Sequence, residues 1–167
     1  MGIIYLLVKT FKMTDATWKK HANPWSVWTR YLTLPFLAFI IWSRFWIGYW
    51  CLIPLALILF WTWINPRCFK KPQTTKTWAS KAVFGERVWI NRKNIPLQKH
   101  HVTMAKFLSI LAGLGLIPMI YGLYFYDLQP LIWGILFIYA FKSWFLDRMV
   151  WIFEDMKHHE EYASWEY

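Results

Sequence analysis

Acidic residues are what this chain has least of. Nine Asp and Glu stand against nineteen Lys and Arg in 167 residues, for a formal net charge of +10 at pH 7. The evenly mixed charge expected over the surface of a soluble domain is thereby excluded. Cysteine is nearly missing too, with Cys51 inside an apolar run and Cys68 inside a basic one. Two thiols at different depths exclude a disulfide scaffold and suit a reducing compartment. Ser-His-Asp spacing, a phosphate-binding glycine loop, a dinucleotide fingerprint and Cys-x-x-Cys are all absent, so no familiar catalytic class is signalled. Base-stacking and groove-reading motifs are absent as well. The positive charge is therefore read as facing anionic lipid headgroups, not nucleic acid. Low-complexity sequence and long-period repeats are also lacking, apart from a loose echo of Asn-Pro at 23–24 and 65–66.

What the chain does have is grease in blocks. Hydrophobic residues make up 57% and aromatic residues 22% of it, with fourteen tryptophans. Residues 65–106 separate two apolar blocks and carry ten Lys and Arg against the single acid Glu86. Moving such a loop through hydrocarbon is costly, so the positive-inside rule places it in the cytoplasm. The expected architecture is all-α: four transmembrane helices as two hairpins, with an amphipathic cytoplasmic helix between them and both termini cytoplasmic. Residues 1–27 form an interfacial N-terminal segment, 28–64 the first hairpin, 65–106 the basic loop, 107–151 the second hairpin and 152–167 a cytoplasmic tail.

Several local expectations follow along the chain. Residues 1–8 are too short to span, at about 12 Å of helix against about 30 Å of hydrocarbon. Asn23 and Pro24 read as an N-cap and first helical residue. The first span, 28–42, covers only about 21 Å, so Arg30 must snorkel, or the element is tilted or re-entrant. A turn at Ser43-Arg44 leads to an uncharged second span over 45–64, in which Pro54 frees a backbone carbonyl that a neighbouring helix must cover. Asn65-Pro66 stops it. From Thr75 to about Arg92 a 100° period puts Trp78, Ala79, Ala82, Val83, Trp89 and Ile90 on one arc. Glu86 falls inside that arc, where a carboxylate either pairs with an arginine or has a raised pKa. The third span, 107–125, offers Ser109-x-x-x-Gly113 for close helix contact. The fourth helix begins near Leu131, with helical spacing to about Glu161 and with Lys142 in its inner half, snorkelling or paired with Asp147.

Candidate chemistry gathers on the cytoplasmic side. Asp147, Glu154, His158 and Glu161 share one stripe of the last helix, and Asp155 and His159 form a second i, i+4 pair beside it. With the vicinal pair His100-His101, these residue types are able to ligate zinc, iron or manganese, so His100, His101, Glu154 and His158 are the candidate ligands for a divalent metal. The plainer reading is a solvated tail forming salt bridges with the basic loop, with no cofactor at all. His21 is either part of the helix entry, bonded to backbone, or a ligand or proton carrier. Glu86 is the candidate catalytic acid or base; with Arg87 it also reads as a buried ion pair.

The runs His21-Ala22-Asn23-Pro24-Trp25-Ser26, Asn65-Pro66-Arg67, Trp78-Ala79-Ser80, Gly85-Glu86-Arg87-Val88-Trp89 and His100-His101 resemble, as a set, an uncharacterised family of small prokaryotic integral membrane proteins, a domain of unknown function. The resemblance implies a prokaryotic cytoplasmic membrane and implies that these motifs act as a unit, with His21, Glu86, Arg87 and the histidine pair converging at the inner face. It implies no reaction. Two functions are carried forward. One is a non-catalytic accessory, assembly or oligomer-forming membrane subunit, in contact with lipids and with itself or a larger complex. The other is a membrane-embedded, metal-dependent enzyme acting on a lipid or quinone at the cytoplasmic interface.

Orientation is checkable at Cys68. A membrane-impermeant maleimide applied to intact cells is expected to leave it unlabelled and to react once the membrane is permeabilised; labelling from outside overturns the topology.

Overall fold

The computed structural model describes residues 13–167, and every regular element among them is helical. The interfacial segment expected at residues 1–8 lies outside them. Helix α1 (Asp15–His21) starts where the Thr14 side chain accepts from the Thr17 amide. Helix α2 (Pro24–Trp42) starts where Asn23 accepts from the Trp25 amide, with Pro24 in its first turn. As nineteen residues it is about 28 Å long, so the extra turn upstream of Trp28 makes good the length that 28–42 lacked.

The second apolar run departs from a single helix over 45–64. It begins as α3 (Arg44–Ile47), passes through a 3-10 turn (Gly48–Cys51) and continues as α4 (Leu52–Cys68). Gly48 sets the break, because its φ of +56° suits a residue without a Cβ. Pro54 consequently falls in the first turn of α4, where its missing N–H would have had no partner in that helix, and it needs no cover. Asn65-Pro66 does not end the helix either, since α4 carries Pro66 inside it and runs on to Cys68. Pro66 thereby frees the Thr62 carbonyl, and in α2 Pro35 frees another. Four residues back, the Tyr31 carbonyl accepts instead from the Tyr139 hydroxyl of the last helix, at 2.5 Å.

Helix α5 (Trp78–Ile90) is capped by Thr77, which accepts from the Ser80 amide. Helices α6 (Lys99–Leu114) and α7 (Leu116–Phe125) replace a continuous third span, meeting at Gly115. Helix α8 (Leu128–Met156) is capped by Asp127. It ends short of Glu161, and the chain then folds back through a 3-10 turn (Ala163–Trp165). The tail is not simply solvated. Tyr162 and Trp165 are buried, Trp165 rests on Phe84, and the Thr75 amide donates to the Tyr167 carbonyl at 2.9 Å.

The main core lies where α5 crosses α8. Ala82, Val83, Phe84 and Val88 of α5 meet Phe145, Met149, Ile152 and Phe153 of α8 in one buried cluster. Gly85 permits the crossing, since a Cβ there would lie 1.8 Å from the Met149 carbonyl oxygen. In the second hairpin, α7 and α8 approach on Gly115, Gly122 and Gly134, whose added Cβ atoms would meet the facing helix or loop at 2.7, 2.5 and 2.5 Å. The expected Ser109-x-x-x-Gly113 contact is not the one used: a Cβ on Gly113 meets nothing within 4 Å. At the far end, Arg44 donates to the Leu123 carbonyl at 2.5 Å and to the Tyr126 hydroxyl at 2.8 Å, joining the turn of the first hairpin to the C-terminus of α7. A cation there also complements the negative end of that helix.

Three stretches are long and apolar enough to cross a membrane: Pro24–Cys68, Lys99–Phe125 and Leu128–Met156. The first folds back on itself, because Ser26 near its start touches Asn65 near its end.

The glycine contacts make a stability test. Gly134→Leu is expected to lower the thermal midpoint in detergent, with an overpacking cost of about 1–3 kcal/mol. Gly113→Ala is expected to be neutral or to stabilise by up to about 1 kcal/mol through helix propensity. Equal effects from the two would refute the assigned packing.

Candidate functional site

Where α1 gives way to α2, the chain places a run of polar side chains in a site with almost no water contact. His21, Ser26 and Asn65 are 5%, 0% and 0% exposed. Buried polar atoms need partners, and here they find one another. Arg30 Nη1 lies 3.1 Å from His21 Nε2. A guanidinium only donates, so Nε2 must accept, the imidazole is neutral, and its proton sits on Nδ1. Nδ1 then donates to Ser26 Oγ at 2.8 Å. Ser26 donates to Asn65 Oδ1 at 2.8 Å, and Asn65 Nδ2 donates to Thr29 Oγ1 at 2.8 Å. Thr29 closes the series on the Trp25 carbonyl at 2.6 Å. Every donor faces an acceptor, and the series ties α1, α2 and α4 together.

The neighbouring Asn of the Asn-Pro echo serves the same corner. Asn23 Nδ2 donates to the Lys70 carbonyl at 3.0 Å, fastening the exit of α4 to the entry of α2. Ser80 donates to the Ala22 carbonyl at 2.6 Å, which fastens α5 to the same turn.

Beside this series is a cavity of about 300 Å³ bounded by α1, α2, α4, α5 and α8. His21, Arg30, Tyr31, Glu86, Tyr139 and Lys142 supply its polar wall, and Val27, Leu34, Ile138 and Leu146 part of its apolar one. Lys142 Nζ lies 3.0 Å from Glu86 Oε1. Glu86 was expected to pair with an arginine or to hold its proton, and Lys142 to snorkel or to pair with Asp147. Both expectations are corrected, because the crossing of α5 and α8 puts these two residues opposite each other. Burial by itself pushes the Glu86 carboxyl up, but Lys142, with smaller help from Arg30, holds it below the usual carboxylate range. His21 is pushed down to about 3, first by burial and then by the adjacent Arg30.

The other candidates lie elsewhere. Arg87 does not pair with Glu86; it pairs with Asp15 and lies over the Trp165 ring at 4.2 Å. His101 Nε2 meets Asp155 Oδ2 at 2.7 Å, with His100 exposed and its ring beside that of His101. Glu154 is taken by Lys81 and by Lys157, the latter at 2.7 Å. Asp147 accepts from the Trp78 indole at 3.2 Å, and His158 is exposed. Among the described residues, no three His, Cys, Asp or Glu side chains are grouped so as to hold a metal ion.

A family model described as "Family of unknown function (DUF6653)" matches residues 3–166. The chain belongs to this family. The match extends well beyond 21–101, the part whose motifs carried the resemblance. No curated protein and no solved structure matches the chain. The runs around His21, Asn65, Ser80 and Glu86 do meet at one corner, whereas Arg87 and the histidine pair face other partners. Ser26, Thr29, Asn65, Tyr31 and Tyr139 were not foreseen as site residues. The Asn-Pro echo pointed to the first Asn-containing corner, and the carbonyl freed by Pro35 was the available pointer to Tyr139.

The buried neutral His21 makes stability depend on pH. Its value falls from 6.5 in the unfolded chain to about 3 when folded. Between those values the unfolded chain binds the extra proton, so stability is full above pH 6.5 and is lost as pH falls. The loss is about 1.4 kcal/mol per pH unit, or about 2 kcal/mol by about pH 5. The depressed Glu86 loses its contribution only below its unfolded value of 4.5, so it does not act between pH 7 and 5. The thermal midpoint of wild type is therefore expected to drop between pH 7 and 5 more steeply than that of His21→Asn. Parallel profiles would contradict the neutral assignment.

Proposed function

We propose that the protein is a non-catalytic accessory or oligomer-forming subunit of a membrane assembly. It crosses the bilayer four times, as two hairpins, with the basic loop and both termini on the cytoplasmic side of a prokaryotic cytoplasmic membrane. Support for the topology comes from the charge distribution and from Arg44 joining the two far turns. The observation that carries the subunit reading is the uneven packing of the apolar stretches. Only 6% of the apolar window in Pro24–Cys68 is buried, against 28% in Lys99–Phe125 and 17% in Leu128–Met156.

The first hairpin touches the rest of the chain through Tyr31 on Tyr139, through Arg44 at the far turn, and through a small apolar cluster in which Leu34, Ala38 and Ile41 meet Met119, Leu123 and Leu131. Outward it presents Phe36, Phe39, Trp46, Leu57 and Phe60, each more than half exposed. The glycines that allow close helix approach in the second hairpin already have neighbours within the chain. Further helix packing, which in lipid depends on van der Waals fit, is left to the aromatic face of the first hairpin. Anionic lipid heads are the other partner, facing the lysines and arginines of the loop. The metal-dependent alternative would require His101 to leave Asp155 and Glu154 to leave two lysines.

Leu57 and Ile110 are equally exposed, at 64% and 63%, on different hairpins. With Cys51 and Cys68 replaced by Ser, Leu57→Cys is expected to give an oxidative cross-link in native membranes, to a second copy or to a larger partner. Ile110→Cys is expected to give much less. A monomeric mass in neutral detergent, with no cross-link from Leu57→Cys, overturns the reading.

A further inference from the structure

The polar cavity has a charge and hydrogen-bonding balance that selects a ligand class, independently of whether the protein is a subunit. Its lining holds two cations, Arg30 and Lys142, against one carboxylate, Glu86. His21 adds no charge, because Nε2 accepts from Arg30. A cationic ligand would meet a net positive wall.

The hydroxyls around the cavity already have acceptors. Thr33 donates to the Arg30 carbonyl, Thr62 to the Ile58 carbonyl, Tyr139 to the Tyr31 carbonyl and Tyr31 to Ser143 Oγ. Lys142 differs. An ammonium has three donors, and the Glu86 contact accounts for one of them while the Nζ rests 4.5 Å from the Phe145 ring centre. Its side chain keeps 45% of its surface accessible, and that of Glu86 keeps 24%, so the pair is only partly desolvated and cheap to rearrange. Lys142 is the one charged residue in the first eighteen positions of α8, 128–145, and a lysine in so apolar a stretch is costly to keep without a use.

A volume of about 300 Å³ equals roughly ten water molecules at about 30 Å³ each. That is room for a phosphate or carboxylate head and its first few carbons. Val27, Leu34, Ile138 and Leu146 give those carbons an apolar wall.

We propose that this cavity binds the oxyanion head of a membrane amphiphile, a phosphate or carboxylate seated on Lys142 and Arg30, with its first methylenes against the wall formed by Leu34 and Ile138. The Arg30-to-Trp25 hydrogen-bond series holds the guanidinium in place from behind. Glu86 keeps Lys142 oriented while the cavity is empty and excludes ligands bearing a positive group.

The test uses the full chain in a neutral detergent, with lauroyl lysophosphatidate, monolauroylglycerol and inorganic phosphate as probes and native mass spectrometry as the readout. Lysophosphatidate is expected to bind one to one, and monolauroylglycerol at least tenfold more weakly. Lys142→Gln should weaken lysophosphatidate binding roughly tenfold or more through loss of a charge-assisted contact. Ile138→Trp, which fills the cavity and leaves both cations, should abolish it. Lys93→Gln, at an exposed loop position, should leave it unchanged. Inorganic phosphate that binds alone, and competes, supports the oxyanion site with a free anion as its source; lysophosphatidate binding without such competition supports a lipid source. Equal binding of the neutral glycerol ester, no saturable binding of lysophosphatidate, or retention of affinity in both Lys142→Gln and Ile138→Trp overturns the proposal. None of these outcomes depends on the oligomeric state read by the cross-linking experiment.

Discussion

Arg30 can only donate hydrogen bonds, and because it is set against His21 the direction of the next four bonds follows. Nε2 accepts, Nδ1 donates to Ser26, Ser26 to Asn65, Asn65 to Thr29, and Thr29 to a main-chain carbonyl. Reversing either of the two buried bonds, His21 to Ser26 or Ser26 to Asn65, would leave like groups face to face away from water, a cost of about 1–3 kcal/mol per group. The series fixes the angle at which α1 enters α2 and holds the end of α4 against both. The tie from this corner to the remaining helices is Ser80 of α5, which donates to the Ala22 carbonyl.

The same corner shows how irregular backbone is accommodated at apolar depth. Pro35 frees the Tyr31 carbonyl, and Tyr139 from the last helix supplies the donor. The two tyrosine rings stack with centres 5.6 Å apart, so the polar contact and the packing of α2 on α8 are one feature. Arg44 performs the parallel task at the far end by covering the carbonyls at the end of α7. At these two places a carbonyl freed where a helix is interrupted or ends is met by a side chain from a different element, which spares it the cost of an unpaired acceptor.

Charge around α5 and the end of α8 is arranged in pairs of different character. Lys81, Lys157, Glu154 and Glu166 form a network near the surface. Such contacts contribute modestly to stability, because solvent screens them. Glu86 and Lys142 form the pair that faces the cavity, and their partial exposure leaves it responsive to whatever enters. The difference arises from Gly85, next to Glu86. Its missing Cβ lets α5 lie directly on the Met149 backbone and turns the adjacent carboxylate toward Lys142.

Composition and pattern alone determined that the chain is helical, that it has apolar segments of membrane length and that Asn23 and Pro24 begin a helix, since each rests on local composition or on a side chain reaching its own amides. Glu86 stood out within its apolar arc for the same reason. Its partner was not legible, because whether Glu86 meets an arginine or Lys142 depends on the angle at which α5 crosses α8. The break at Gly48, the use of Gly115, Gly122 and Gly134 in place of Gly113, and the meeting of His21, Ser26, Asn65 and Arg30 were likewise decided only in three dimensions. Backbone closeness and shared burial are properties of pairs of elements, and a single strip of sequence records one member of each pair at a time.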